Sequence, residues 1–251
     1  MFAELPGETA AAARPAAGWL TARMAEPKPR DLAALLLTLT VVTGVVDAVS
    51  FLGLGRVFVA NMTGNVVFLG FAVSPESGFR LGPPIAAVLG FVLGSLGGGR
   101  AARAMESRPR RWLASAFGAQ AILLWLCALL VGVGVLEETG GTSYVLIVAL
   151  AACFGLQNAT VRHVAPRDMT TTVLTLTLTG LAADSVLGNG RSVKPHRRLG
   201  SIAAMLVGAA VGALLLQWTT AWVIALAGVL VAAAAVIFLR APEASPAADR
   251  V

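Results

Sequence analysis

Two stretches decide how this chain is read. The first is Thr43-Gly44-Val45-Val46-Asp47-Ala48-Val49-Ser50, followed by Val59-Ala60-Asn61-Met62-Thr63-Gly64-Asn65. The second echoes it: Gly155-Leu156-Gln157-Asn158-Ala159, then Val173-Leu174-Thr175-Leu176-Thr177 within a Thr-rich run. Each set is followed by glycines four residues apart, Gly90 and Gly94 in the first half and Gly208 and Gly212 in the second. A signature set once in each half marks an internal repeat. In membrane transporters, sites commonly lie where such repeats meet.

The surroundings of both signatures are apolar. Of 251 residues, 57% are hydrophobic and 13% charged, and the mean hydropathy is +0.80. Eight apolar segments follow one another, at about 32–54, 57–74, 84–99, 112–136, 143–161, 169–187, 199–217 and 219–239. About 20 apolar residues suffice to cross roughly 30 Å of hydrocarbon as a helix. The composition therefore predicts an all-α, polytopic membrane protein. The short alternating segments and aromatic girdles of a β-barrel are not found.

Loop charge selects among topologies. If all eight segments cross, Lys and Arg divide almost evenly between the faces, and Arg100, Arg103, Arg108, Arg110 and Arg111 lie outside. If segments 57–74 and 169–187 instead dip in and return, all 19 Lys and Arg except Arg56 and Arg80 fall on one face. Glu137-Glu138 then falls on the other. Positive charge marks the cytoplasmic side, so the expectation is six spans plus two re-entrant or half-spanning segments, with both termini cytoplasmic. Three crossings per half make the two copies inverted repeats, at 32–136 and 137–240. Non-helical backbone at membrane depth is tolerated only where protein or a water-filled cavity covers it. Residues 1–31 mix acidic and basic groups, lack the apolar core of a signal peptide, and read as a disordered cytoplasmic tail, as do 241–251.

The runs Thr43 to Leu52 and Val59 to Asn65, Gly155 to Ala159, and the Thr-rich run to Thr179-Gly180-Leu181 resemble the YoaK-like bacterial membrane proteins, a family without an assigned substrate. The likeness covers roughly residues 35–238. It implies a bacterial inner-membrane protein of about six helices. The family usually carries glycine in the middle of the second Thr block, where this chain has Leu176.

Asp47 is the sharpest single residue. A carboxylate in the centre of a span costs about 2.5–3.5 kcal/mol on insertion scales and marks a functional hypothesis. It can act as a proton carrier or cation ligand, or as a hydrogen-bonded group joining helices. Its counterpart, Asn158, has the same shape without the charge. Asn61, Thr63, Gly64 and Asn65 offer donors and acceptors to a solute, or else satisfy backbone freed by a re-entrant turn. Gln157 neighbours Asn158 in the second signature. Thr172, Thr175 and Thr179 share one helix face, as a solute-facing strip or as hydroxyls bonded to their own helix. Gly90, Gly94, Gly208 and Gly212 read as helix-packing positions. Asp184, His163 and His196 read as solvated groups at the cytoplasmic face, with Arg162, Arg167 and Asp168 in a loop there. Cys127 and Cys153 read as packing residues.

No GxSxG, HExxH, GxGD or P-loop motif occurs, so no catalytic residue, metal or cofactor is expected. The basic balance is explained by topology, so nucleic acid is not expected as a partner. The predicted partners are the lipid bilayer and an unknown small solute or ion, and a homo-oligomer is compatible with the sequence. The expected function is a small-solute transporter or channel with its site between the repeats, coupled to protons through Asp47. The alternative is a membrane scaffold or assembly protein without a solute path.

Overall fold

A computed structural model describes residues 29–164, 174–185, 188, 190 and 195–240. Among them are eight α-helices, one short 3-10 turn and no strand. The helices are α1 (Pro29–Gly53), α2 (Met62–Phe71), α3 (Gly82–Ala104), α4 (Pro109–Gly132), α5 (Thr142–Val164), α6 (Leu174–Ala183), α7 (Pro195–Leu215) and α8 (Thr220–Arg240). The six long ones are apolar and long enough to cross a membrane. The other two have ten residues each, about 15 Å of helix and half a crossing.

Local sequence explains the helix starts. Proline stands in the first turn of α1, α3, α4 and α7, where its missing N–H costs nothing and its φ is already helical. Thr38, Thr40 and Thr43 donate their hydroxyls to the carbonyls of Ala34, Leu36 and Leu39. This silences three polar groups in a helix surrounded by apolar side chains.

The halves pack by a common pattern. Helix α1 lies against α7 as α5 lies against α3, α1 meets α8 as α5 meets α4, and α2 rests on α3 as α6 rests on α7. Helices α1 and α5 are the most buried of the spans, and α3 and α7 the least. The contacts α1–α7 and α3–α5 are the closest because glycine faces backbone. A Cβ on Gly44 would strike Met205 O and Ala209 N, and one on Gly155 would strike Phe91 O and Ser95 N. Gly94 lies on the backbone of Ala152, and Gly208 on that of Val41. Between apolar helices in lipid, association rests on van der Waals packing, which such close approach maximises.

These contacts correct one detail of the sequence repeat. Gly208 and Gly212 meet Val41 and Val45, whereas Gly94 and Gly98 meet Ala152 and Leu156. The packing equivalents are therefore Gly94/Gly98 and Gly208/Gly212, one turn further along than the Gly90/Gly94 pair. Gly90 also packs, against Val148.

The ends of the bundle differ in charge. Gly55 neighbours Pro83, Gly82 neighbours Tyr144 and Gly53 neighbours Glu138, which gathers Arg56, Arg80, Glu137 and Glu138 at one end. Arg100, Arg103, Arg111, Arg162, Arg198 and Arg240 belong to the other, as the helix order requires. Gly55 and Gly82 both lie at the first end, so the segment 54–81 enters and leaves the bundle on the same side.

Replacing Gly94 by Ala should cost about 1–3 kcal/mol through overpacking. Gly97→Ala, with open space at its Cβ, should be neutral or gain up to about 1 kcal/mol of helix propensity. Thermal unfolding of the two purified variants in detergent checks the contrast.

Candidate functional site

The site begins where α1 ends. Gly55 and Arg56 both adopt positive φ, 87° and 58°, turning the chain back on itself. The following residues then run into the bundle beside α1. Val57, Val59 and Ala60 are fully buried. Ala60 donates its backbone N–H to Asp47 Oδ1 at 3.0 Å. Asp47 stands six residues before the end of α1, about 9 Å deep along the axis. From that depth α2 starts at Met62 and climbs back out, which makes the second apolar segment re-entrant.

Two features hold this hairpin. Asn65 is buried and spends both ends of its amide on Phe58, accepting from Phe58 N at 2.9 Å and donating to Phe58 O at 2.6 Å. Here the side chain does for an isolated non-helical residue what a neighbouring strand would do. Around it, the rings of Phe51, Phe58, Phe68 and Phe79 stack in series at 5.0, 5.6 and 5.0 Å between centroids, with Phe71 alongside. Gly64 lies directly under the Phe58 ring, and a Cβ there would come within 2.7 Å of it. The corresponding Leu176 is exposed, so glycine is not required there.

Asp47 is buried, and its Oδ2 has no hydrogen-bond partner. Ser50 donates to the Asp47 backbone carbonyl rather than to the carboxyl. Asp47 thus engages one oxygen with Ala60, two residues before α2, and keeps the other buried without a hydrogen bond. One turn back on the same helix face lies Thr43, which accepts from Gln157 Nε2 at 3.3 Å. Gln157 Oε1 in turn accepts from Gln120 Nε2 at 2.6 Å. Thr43, Gln157 and Gln120 are each about 1% exposed. Their chain links α1, α5 and α4.

The remaining sequence candidates lie elsewhere. Asn61 is half-buried at the N-cap of α2 and makes no side-chain capping bond. Thr63 is exposed on α2, and Thr175 and Thr179 are exposed on α6, which rests on α7. Asn158 donates to Phe154 O within its own helix. Thr172, Arg167 and Asp168 lie outside the described residues.

Near the basic end, Asp184 pairs with Arg198 at 2.7 Å. His163 bonds Ala159 O through Nδ1 and sits edge-on to Trp112. Both are therefore tied into the protein rather than simply solvated. No group of three or more metal-ligating side chains occurs among the described residues. Sequence reasoning missed Gln120 and the part played by Thr43. A single glutamine in the apolar run Ala119-Gln120-Ala121-Ile122-Leu123-Leu124 was the available signal.

Comparisons with known proteins place the chain in a family of transmembrane proteins. The profile of the family described as "Protein of unknown function (DUF1275)" matches residues 35–237. The chain is 29% identical over 155 residues to the UPF0700 transmembrane protein YoaK of Bacillus subtilis (strain 168), covering 60% of this chain and 65% of that protein. No solved structure matches. The chain belongs to the DUF1275 family and is an integral, multi-pass membrane protein.

The hairpin makes a sharp prediction. Asn65→Ala leaves the Phe58 N–H and C=O unpaired inside the bundle and should cost about 3 kcal/mol. Asn61→Ala removes no capping bond and should stay within about 0.5 kcal/mol. Unfolding midpoints of the two purified variants measure the difference.

Proposed function

We propose that this member of the DUF1275 family moves a small solute across the bacterial cytoplasmic membrane, as a carrier or channel coupled through Asp47. In this reading the halves are inverted repeats, the basic end and both termini are cytoplasmic, and the partners are the bilayer and the solute. It includes no enzymatic activity.

The observation that carries the reading is the state of the Asp47 carboxyl. Burying a carboxyl in a span is costly, and such groups mark ion and proton pathways. The fold uses this carboxyl as an acceptor for backbone N–H groups, that of Ala60 at 3.0 Å with that of Val59 beside it. Asparagine would supply an acceptor there, as the shape of Asn158 in the second half illustrates. The second oxygen serves no bond in the bundle. A role confined to joining helices gives no reason for that oxygen or for its charge. The positive-inside bias supports the orientation, since the cluster Arg100, Arg103 and Arg111 lies at the same end as Arg198 and Arg240.

The test uses proteoliposomes loaded with a pH-sensitive dye and energised by a potassium diffusion potential. Wild-type protein should conduct protons above the protein-free rate. Asp47→Asn, which keeps the acceptor for Ala60 and should fold normally, should fall about tenfold or more, towards that rate. Equal flux in the two removes the coupling role. Thiols introduced by Thr63→Cys and Thr175→Cys should react with water-soluble reagents if both short helices border the path, and their silence favours a scaffold. A thiol at Arg103→Cys should react from the cytoplasm only.

A further inference from the structure

Two of the polar atoms buried along the seam from Asp47 to Gln120 have no partner. The hydrogen bonds run from Ala60 N–H to Asp47 Oδ1, from Ser50 to the Asp47 carbonyl, from Gln120 to Gln157, from Gln157 to Thr43, and from Thr43 to Leu39 O, each glutamine amide using one of its two N–H groups. Two buried acceptors remain without a partner, Asp47 Oδ2 and Gln120 Oε1. The one other unpartnered buried side-chain atom among the described residues is the donor Trp112 Nε1. It stands near the start of α4 beside His163, at the basic end.

A buried acceptor left unmade costs about 1–3 kcal/mol. Two of them lie at the ends of one seam, with Thr43 and Gln157 between. The seam has no counterpart in the other half. By the packing register that aligns Gly44 with Gly155, Thr43 corresponds to Phe154 and Gln157 to Val46. It is therefore not a device the repeat needs in order to pack.

Charge points the same way. Residues 32–53, 62–71, 112–132 and 142–161 contain no Lys, Arg or His. No resident cation is available to answer either acceptor, or to bind an anion. The backbone N–H just before α2, at Ala60, is already taken by the Asp47 carboxyl.

We propose that the solute is a small cation that donates hydrogen bonds, of the ammonium type, received in turn by Gln120 Oε1 and Asp47 Oδ2. This deepens the transport reading by naming the class of solute and adding Gln120 as a recognition residue. Four N–H donors and one positive charge suit a seam whose two wholly unpartnered atoms are a carboxyl oxygen and an amide oxygen.

Thermal unfolding of the purified full-length protein in detergent tests it, with ammonium chloride, sodium chloride and tetramethylammonium chloride at equal ionic strength. Tetramethylammonium carries the same charge without an N–H. Ammonium should raise the midpoint, and the two controls should not. In Gln120→Leu the ammonium concentration for half of the shift should rise about tenfold or more, as expected for one lost bond to a charged partner. Gln120→Glu, which keeps an acceptor there, should retain the response.

Equal responses to the three salts overturn the proposal. So does an ammonium response that survives Gln120→Leu, or one that Gln120→Glu abolishes. The two readings fail separately. Ammonium binding without flux in proteoliposomes removes transport and leaves the site, whereas flux without an ammonium-specific shift removes the site and leaves transport.

Discussion

Backbone that leaves the helical state inside a bundle must find partners within the protein, because hydrocarbon offers none. Residues Leu54 to Asn61 pose that problem here, and the surrounding structure follows from its solution. Leu54 N returns to Ser50 O as α1 ends, Phe58 is paired on both sides by Asn65, and Ala60 N is received by Asp47. The five-ring phenylalanine cluster covers the same segment with apolar surface. Without these groups α2 has no anchored start and the first half has no re-entrant element. Asp47 is therefore structural in one oxygen, and any chemical role belongs to the other.

Packing supplies a second constraint of a different kind. Helices in lipid gain little from excluding water, so their contacts depend on how closely the backbones approach. The glycines of α1, α3, α5 and α7 provide this at equivalent places in the two halves. Buried α1 and α5 are each clasped by an outer helix from the other half, α7 and α3 respectively. Neither half can complete its core alone, which is why the repeat is a unit of packing as well as of sequence.

The large elements were legible because membrane-spanning helices are written in hydropathy, a signal that depends on few neighbours. All six long helices fall on the expected segments, and the helices described within 57–74 and 169–187 have ten residues each, too few to cross. Less legible was anything that depends on which side chain meets which. Asn61 and Asn65 look alike in the motif, yet one makes no capping bond and the other pairs Phe58. Nothing in their spacing separates them, because the difference lies in where an eight-residue non-helical stretch folds back. Gln120 was passed over for the same reason: its partner, Gln157, is 37 residues away on another helix. The glycine register slipped by one turn because G-x-x-x-G repeats with itself at Gly90, Gly94 and Gly98, and only the facing backbone selects the pair.

The likeness of the halves sharpens the meaning of their differences. A duplicated unit retains what packing requires, and it does so here at Gly44 and Gly155, and at Gly94 and Gly208. The charge of Asp47 is not retained, since Asn158 replaces it. Nor is the Thr43–Gln157 contact, whose equivalent positions carry Phe154 and Val46. Groups that pack alike in both halves answer to the fold. Groups present in one half alone, buried and only partly satisfied, carry a cost that the fold does not require. In this chain they converge on α1, α4 and α5, where the two halves meet, and chemistry in this protein is best sought along that seam.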